Sequence, residues 1–419
     1  MKSLSFLAVV AAVFVFHSSA SAGPFHLQIV AEAGDVIDGR TITGFSSEVL
    51  NVAINNDREV AFFANVAGPQ GSGSGVMTQR RFIAGAGKVV DGHVPSFGDE
   101  PDLVMNNLGE VAYRANLDAG QSGRGLYVNE TLLVRDGDVI DGHTILTLGK
   151  PPRINDAGTV LFVAQTPEFD GLFSQSTLLI REGQSFDGLT LHSRGDMHIN
   201  TAGEVAFRAE FDEFQGGTIA TLGDGIVLRE GDVIAGLTVE RIRGFGGITN
   251  DGDIVTRIAG SGIDGEPIAF IATQDRILFR QGDIVAGIEV SYITGANVVL
   301  NDNGEFAFLG AIDAPGENGY FRDKRGILFA SGQLVVSEQD VLDGKIIRFV
   351  YPNFDMNDRG DVAFRVVFED FSQAVVVATP IPEPSSAALA ALGVLFLLAS
   401  RDIQRPGRDC PTRNEEVVR

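Results

Sequence analysis

Asn301-Asp302-Asn303-Gly304-Glu305-Phe306-Ala307-Phe308 is the cleanest copy of a phrase that recurs seven times along this 419-residue chain. The other copies start at Asn55, Asn106, Asn155, Asn200, Thr249 and Asn357, so successive starts lie 51, 49, 45, 49, 52 and 56 residues apart. A repeat of this length is one supersecondary unit that cannot bury its apolar face alone, so the copies must stack.

One unit, residues 152–196, shows what stacks. Pro152-Arg153-Ile154 reads as a short extended piece. Asn155-Asp156-Ala157-Gly158 is a turn, because Asn and Asp bond their own backbone and Gly accepts positive φ. Residues 160–165 form an apolar, β-branched strand. A polar loop, 166–171, leads to a third strand at Leu172-Phe173 and a fourth at 177–181. A longer link, 184–195, reaches the next unit. The other copies follow suit, and no sustained 3.6-residue period appears outside the two ends of the chain.

Four-stranded antiparallel meanders repeated around an axis predict an all-β, seven-bladed β-propeller. The seventh unit supplies only three strands, the last at 374–379. A fourth-strand sequence without its first three stands at residues 27–35, LQIVAEAGD, matching LLVRDGD at 132–138 in type and in its Gly-Asp ending. The N-terminal strand is therefore expected to close the last blade, giving a body over 26–379 and removing two raw sheet edges. An open β-solenoid is the competing architecture, but it uses shorter rungs and atypical caps, which are not visible.

Composition narrows the function. A formal net charge of −23 argues against a phosphate-neutralising surface, so no nucleic-acid partner is expected. It also argues against adhesion to anionic headgroups. The single cysteine, Cys410, allows no intramolecular disulfide and no thiolate metal cluster.

The ends read as an address. Met1-Lys2, an apolar run over 4–16 and small residues before Ala22 predict a secretory signal peptide, 1–22. At the other end Pro382-Glu383-Pro384, within a linker at 380–384, precedes an apolar stretch at 385–400 and a basic tail at 401–419. That stretch is expected to be a short C-terminal transmembrane helix with its arginines on the cytoplasmic side. The arrangement resembles a PEP-CTERM sorting tail. The resemblance implies recognition by an exosortase-type enzyme near Pro382, Glu383 and Pro384, after passage through the Sec translocon and signal peptidase. It implies a bacterial cell-envelope or extracellular-matrix location, with the C-terminus at least transiently anchored.

The repeat resembles tandem N-x-x-G-x-x-A-F proteins. Asn200-Gly203-Ala206-Phe207, Asn301-Gly304-Ala307-Phe308 and Asn357-Gly360-Ala363-Phe364 match it fully; Arg58, Tyr113 and Leu161 replace Gly, Phe and Ala in the first three copies, and the copy at Thr249 departs most. This resemblance implies an exported repeat protein and carries no catalytic residues.

No catalytic constellation is evident. Gly-Asp recurs at fourth-strand ends (Asp35, Asp138, Asp232, Asp283) and Asp-Gly in the links (Asp38, Asp91, Asp141, Asp187, Asp343), a pattern that suits turns. The sequence at 136–141 fails as an EF-hand, because Ile140 stands where a ligand is needed. Six loops between second and third strands carry acids: Asp118, Asp170, Asp212, Asp264, Asp313 and Asp370. On one propeller face they would form an acidic rim, either a solubilising surface or a place for divalent cations or a cationic glycan. Calcium is the ion such a rim would suit; no other cofactor is implied, and the metal ligands stay undefined. Two functions stay open. One is a non-catalytic propeller that binds extracellular polysaccharide, matrix or other proteins. The other is a secreted glycan-active hydrolase or lyase using carboxylates in an axial pocket.

Overall fold

Each copy of the phrase folds into the same turn. The Asn side-chain oxygen accepts the N–H groups two and four residues on, as Asn301 Oδ1 does from Asn303 (3.1 Å) and Glu305 (2.9 Å). The Gly then takes a left-handed φ, +78° at Gly304, a region that costs other residues about 1–2 kcal/mol. The chain reverses into the apolar strand behind it.

The computed structural model describes residues 24–45, 52–98, 102–118, 123–149, 151–211, 214–313 and 324–381. The signal peptide expected at 1–22, Pro382-Glu383-Pro384, the apolar stretch 385–400 and the tail 401–419 lie outside the described residues. Among those described there is no helix, hence none long and apolar enough to cross a membrane. Residues 1–379 and Pro380–Arg419 form two units; only Pro380 and Ile381 of the second are described.

Among the described residues of the first unit, seven antiparallel sheets of four or more strands form the blades, and two further two-stranded hairpins lie between them. In the fifth, Leu237–Ile248, Ile254–Ser261, Pro267–Ala272 and Ile277–Arg280 are hydrogen-bonded in chain order. The first strands of the seven sheets touch in a cycle, and that of the seventh, Lys345–Met356, meets that of the first, Ala53–Ile54. The fold is an all-β, seven-bladed β-propeller.

Closure follows the expected route. Phe25–Glu32 lies outermost in the seventh blade, beside Gln373–Pro380. Lys345 Nζ from that blade's inner strand reaches Glu32 Oε2 at 3.2 Å. No raw edge is left at the join.

Seven hydrophobic clusters fill the gaps between successive blades. The Ala-Phe pair of the motif explains the packing. Neighbouring residues of a strand point to opposite faces, so each blade offers a large ring to one neighbour and a small methyl to the other. Phe207 packs toward blade 3 and Ala206 toward blade 5; Phe364 packs toward blade 6 and Ala363 toward blade 1. Small against large is how tapered wedges fill a ring.

The links differ from expectation. Residues 184–195 are not simply a connection, because the inner strand of blade 4, Leu189–Ile199, begins within them. It pairs with Val205–Phe211 through irregularities between Leu191 and Ser193 and between Arg194 and Met197. Each bulge shifts the inward-outward phase, which hides a strand from a reading based on alternation. Lys345–Met356 is extended and bulged in the same way.

The Gly-Asp and Asp-Gly pairs are structural, as their recurrence suggested. Asp138 Oδ2 accepts the Arg135 N–H at 2.9 Å and Asp283 Oδ2 accepts that of Arg280 at 2.7 Å, capping fourth strands. Asp141 and Gly142 take φ of +53° and +83°, the geometry of a two-residue hairpin. Asp141 Oδ2 then accepts the Leu178 N–H that opens the outer strand of blade 3, at 3.3 Å.

Candidate functional site

Five of the six predicted rim acids lie within the described residues, on the face carrying the second-to-third-strand loops and the links, and Asp118, Asp264 and Asp370 bond within their own blades. Asp118 accepts the Val94 N–H (2.9 Å) and faces His93 Nδ1 (3.0 Å); the backbone bond first, then the imidazole, hold its carboxyl below the usual range. Asp370 accepts both the N–H and the hydroxyl of Ser372, which lower its pKa. Asp170 opens the third strand of blade 3 opposite Gln165. Asp264 sits in the Gly262–Glu266 turn. Asp313 ends a strand opposite Lys324. Asp212 lies outside the described residues. No bond joins any two of the described rim acids, and no group of three His, Cys, Asp or Glu is placed to hold a metal ion among the described residues.

The residues that do converge lie at the opposite end, where the motif turns meet the axis. The motif Asn reaches across to the next blade. Asn106 Nδ2 donates to Asn155 O (3.0 Å), Asn155 to Asn200 O (3.1 Å) and Asn200 to Thr249 O (2.8 Å). Asn301 donates to Asn357 O (3.0 Å) and Asn357 to Asn55 O (2.9 Å), carrying the belt across the join. The same nitrogens donate to the acid four residues on, as Asn106 does to Glu110 (2.7 Å) and Asn357 to Asp361 (2.9 Å). These acids stand beside the glycine position of the following blade. A Cβ added at Gly109 would lie 3.6 Å from Glu59 Oε2. Arg58 occupies that position in blade 1, at φ +58°, and its Nε meets the fully buried Asp361 at 2.9 Å. The departure at Arg58 is thus answered by a charge partner at the join.

One residue after each Asn, a second ring crosses the axis. Asp358 Oδ2 accepts from Asn56 Nδ2 (2.8 Å) and Asn107 Nδ2 (3.1 Å), and its Oδ1 from the Asp302 N–H (3.0 Å). Asp302 Oδ2 accepts from Thr201 Oγ1 (3.0 Å) and Asn250 Nδ2 (2.9 Å). Asp156 accepts from both nitrogens of Asn107 (2.8 and 3.0 Å). Burial raises the pKa of Asp302, opposed by Thr201 and helped by Asp358. Asp156, Asp302 and Asp358 of this ring, with Asp355 and the apolar Ile54, Met105, Ile154, Ile199 and Leu300, line a cavity of about 170 Å³.

A third layer breaks the repeat. Two residues before the Asn stand Arg153, His198 and Asp355, where other copies have Ala53, Val104, Gly247 and Val299. Burial pushes Asp355 up to about 6, although the N–H groups of Ile54 and Met356 and the Arg153 charge favour its anion. Burial, with Arg153, drives His198 well below the usual imidazole range, leaving it neutral. Its ring packs on Phe245 at 4.8 Å and beside Gly247, where a Cβ would meet Nδ1 at 3.3 Å. Gly247 makes room for the imidazole.

The Asp355 shift carries a testable sign. Its folded pKa of about 6 exceeds the reference 3.8, so the folded state holds the proton more tightly than the unfolded chain. This residue's effect therefore favours folding as pH falls from about 6 to about 4, and the penalty is complete above 6, at about 3 kcal/mol. Asn mimics the protonated acid. Denaturation of Asp355→Asn should show it more stable than the parent by about that amount at pH 7, with the gap closing near pH 4. A constant gap would contradict the assignment.

Sequence reading found the Asn turn but not the belt. Its signal was the insistence on Asn in six of seven copies, because Asp would make the same turn and only Asn has an amide to donate.

The fold and hub define a class: a seven-bladed propeller with an asparagine-belted, acid-lined axis. Within that class, residues 11–343 match the model of a family of unknown function, DUF7453, and the chain belongs to that family. No curated protein matches its sequence. Among solved structures, the chain is similar to virginiamycin B lyase from Staphylococcus aureus, at 9% identity and TM-score 0.34, over 85% of this chain and 100% of that one. A gluconolactonase from Xanthomonas campestris matches at 10% and 0.34, over 85% and 100%. Trypanosoma rangeli sialidase matches at 10% and 0.31, over 90% and 62%.

Proposed function

We propose that this is an exported, surface-sorted propeller that binds polysaccharide or other matrix components without chemically altering them. The observation that carries the reading is the bonding of the axial acids. Both oxygens of Asp358 and both of Asp156 are taken up by amide donors from neighbouring blades. They serve as acceptors in a network that ties blades together. The adjoining cavity, about 170 Å³, is smaller than the roughly 300–1,000 Å³ of ordinary ligand clefts. The link face, with its loop acids, is the surface left for partners. Export rests on the signal sequence at 1–22 and sorting on Pro382, Glu383 and Pro384, which point to the Sec translocon, signal peptidase and an exosortase-type enzyme.

The second reading, a glycan-active hydrolase or lyase, is favoured by Asp355, a carboxyl raised to about 6 near the Arg153 charge. A general acid needs such a shift. One experiment separates the two. The body 24–381 is incubated with a panel of bacterial polysaccharides, and both retention and new chain ends are measured. Retention without new ends is expected. New ends that disappear in Asp355→Asn would overturn binding in favour of turnover.

A further inference from the structure

The inner strand of blade 5, Leu237–Ile248, pairs with Ile254–Ser261 through three irregularities, and bulges re-aim side chains. The register puts three guanidiniums on one face of that sheet. Gly244 stands opposite Arg257 and Arg241 opposite Ala259. Residues directly opposite one another, or two apart along a strand, share a face. Arg243 is the extra residue of the bulge beside Gly244. The face is the one toward blade 6, because Val255, two residues before Arg257, packs with Val298 and Phe308 of that blade. Ile242 and Ile258 point the other way, into the core shared with blade 4.

Blade 6 meets these groups with a phenol. Tyr292, 42% exposed, hydrogen-bonds Arg257 across the gap. Burial lowers the Arg257 pKa, Tyr292 opposes this, and the nearby charge of Arg243 adds to it. Two guanidiniums close enough to repel each other therefore share the gap. Arg241 and Arg243 are exposed, and neither side chain makes a hydrogen bond or ion pair among the described residues. The polar partner that other blades place here is missing. Ten residues after the motif start, the first four blades carry Asn65, Asn116, Gln165 and Glu210, whereas blade 5 has Ala259. Asn65 and Glu210 accept hydroxyls in that slot, from Ser74 and Ser193, at 3.0 Å each. Glu240 is the one acid of the inner strand of blade 5.

We propose that this gap between blades 5 and 6 is a subsite for a tetrahedral oxyanion, a sulfate or phosphate ester carried by a polysaccharide. Arg241, Arg243 and Arg257 approach from two strands. Donors spread in this way suit the outward oxygens of such an ester, whereas a planar carboxylate occupies a single guanidinium fork. The Tyr292 hydroxyl stands beside them. The net charge of −23 repels a densely charged polymer, so the chain that fits is largely neutral, with esters at intervals. This rests on the binding reading above and names the ligand class within it.

The test is calorimetric titration of the full-length protein with cellotriose, its 6-O-sulfate, its 6-O-phosphate and its 6-carboxylate, and with inorganic sulfate and phosphate. The sulfate or the phosphate ester should bind at least about tenfold more tightly than cellotriose and the carboxylate, a factor that one charge-assisted bond supplies. The tighter of the two identifies the ester. Arg241→Gln and Arg243→Gln should each lose that advantage and keep the parent's melting midpoint. Arg276→Gln removes the same charge at the other end of the blade, where Arg276 pairs with Asp253 at 3.3 Å, and should keep the parental affinity. Equal binding of cellotriose or the carboxylate, parental affinity in both site variants, or an equal loss in Arg276→Gln would overturn the assignment. Inorganic sulfate or phosphate binding as tightly as its ester would also overturn it, leaving an adventitious ion only. Retention of neutral polysaccharide with no response to the site variants would remove the oxyanion site and leave matrix binding standing. No retention of any polymer in the panel would remove both.

Discussion

Asn106→Asp is expected to destabilise the propeller by about 3–5 kcal/mol, the usual loss when a buried charge is left without its partner. The substitution keeps the turn. Oδ1 can still accept the N–H groups of Leu108 and Glu110, which it does at 3.1 and 2.9 Å. What changes is the other branch. Nδ2, which donates to Asn155 O at 3.0 Å and Glu110 Oε2 at 2.7 Å, becomes an oxygen facing two acceptors. Two buried bonds disappear and two like charges meet. Asn357→Asp should behave alike, since its amide serves Asn55 O and Asp361 at the join. Urea midpoints at unchanged slope measure the loss. Lowering the pH protonates the new acid and returns a donor, so most of the loss should be recovered. If these variants match the parent, the belt contributes nothing to stability.

Removal of residues 27–35 should have a comparable or larger effect, on the order of 5 kcal/mol from burial alone, and should turn a monomer into aggregates. The strand carries Ala31, fully buried between blades 7 and 1, and Leu27 and Ile29, which pack against the core between blades 6 and 7. Without it, Gln373–Pro380 becomes an open edge of apolar sequence, which templates pairing with other chains. Light scattering reads the association. A synthetic peptide spanning 25–35, added in trans, should restore a monomer by strand addition. A truncated body that stays monomeric at parental stability would mean that the ring is closed by something else.

The repeat made much of the fold readable, and it also hid the site. Seven copies of the motif phrase, three of them full matches to Asn-x-x-Gly-x-x-Ala-Phe, with a three-stranded last unit and an orphan strand at residues 27–35, were enough to place blades, faces and closure. Alternation failed where bulges shift its phase, as between Arg194 and Met197, so inner strands were read as links. The belt was half legible: the turn function of Asn is local, whereas its amide acts on a residue 45 to 56 positions away, or 302 at the join. The axial charges were not legible at all. Arg153, His198 and Asp355 share one slot in three different copies, and a reading tuned to what repeats passes over what does not. The rim acids repeat because every such loop must turn, and Asp118 and Asp370 are occupied in doing so.

Hydrogen exchange of the intact protein tests the ring most directly. The amides of Phe25–Glu32 that point toward Gln373–Pro380 should be protected to the same degree as that strand's own ladder amides, both exchanging only through global unfolding, while the alternate, outward-pointing amides of this edge strand exchange freely. Exchange of all the Phe25–Glu32 amides at the rate of an exposed coil, with Gln373–Pro380 still protected, would contradict the closed propeller.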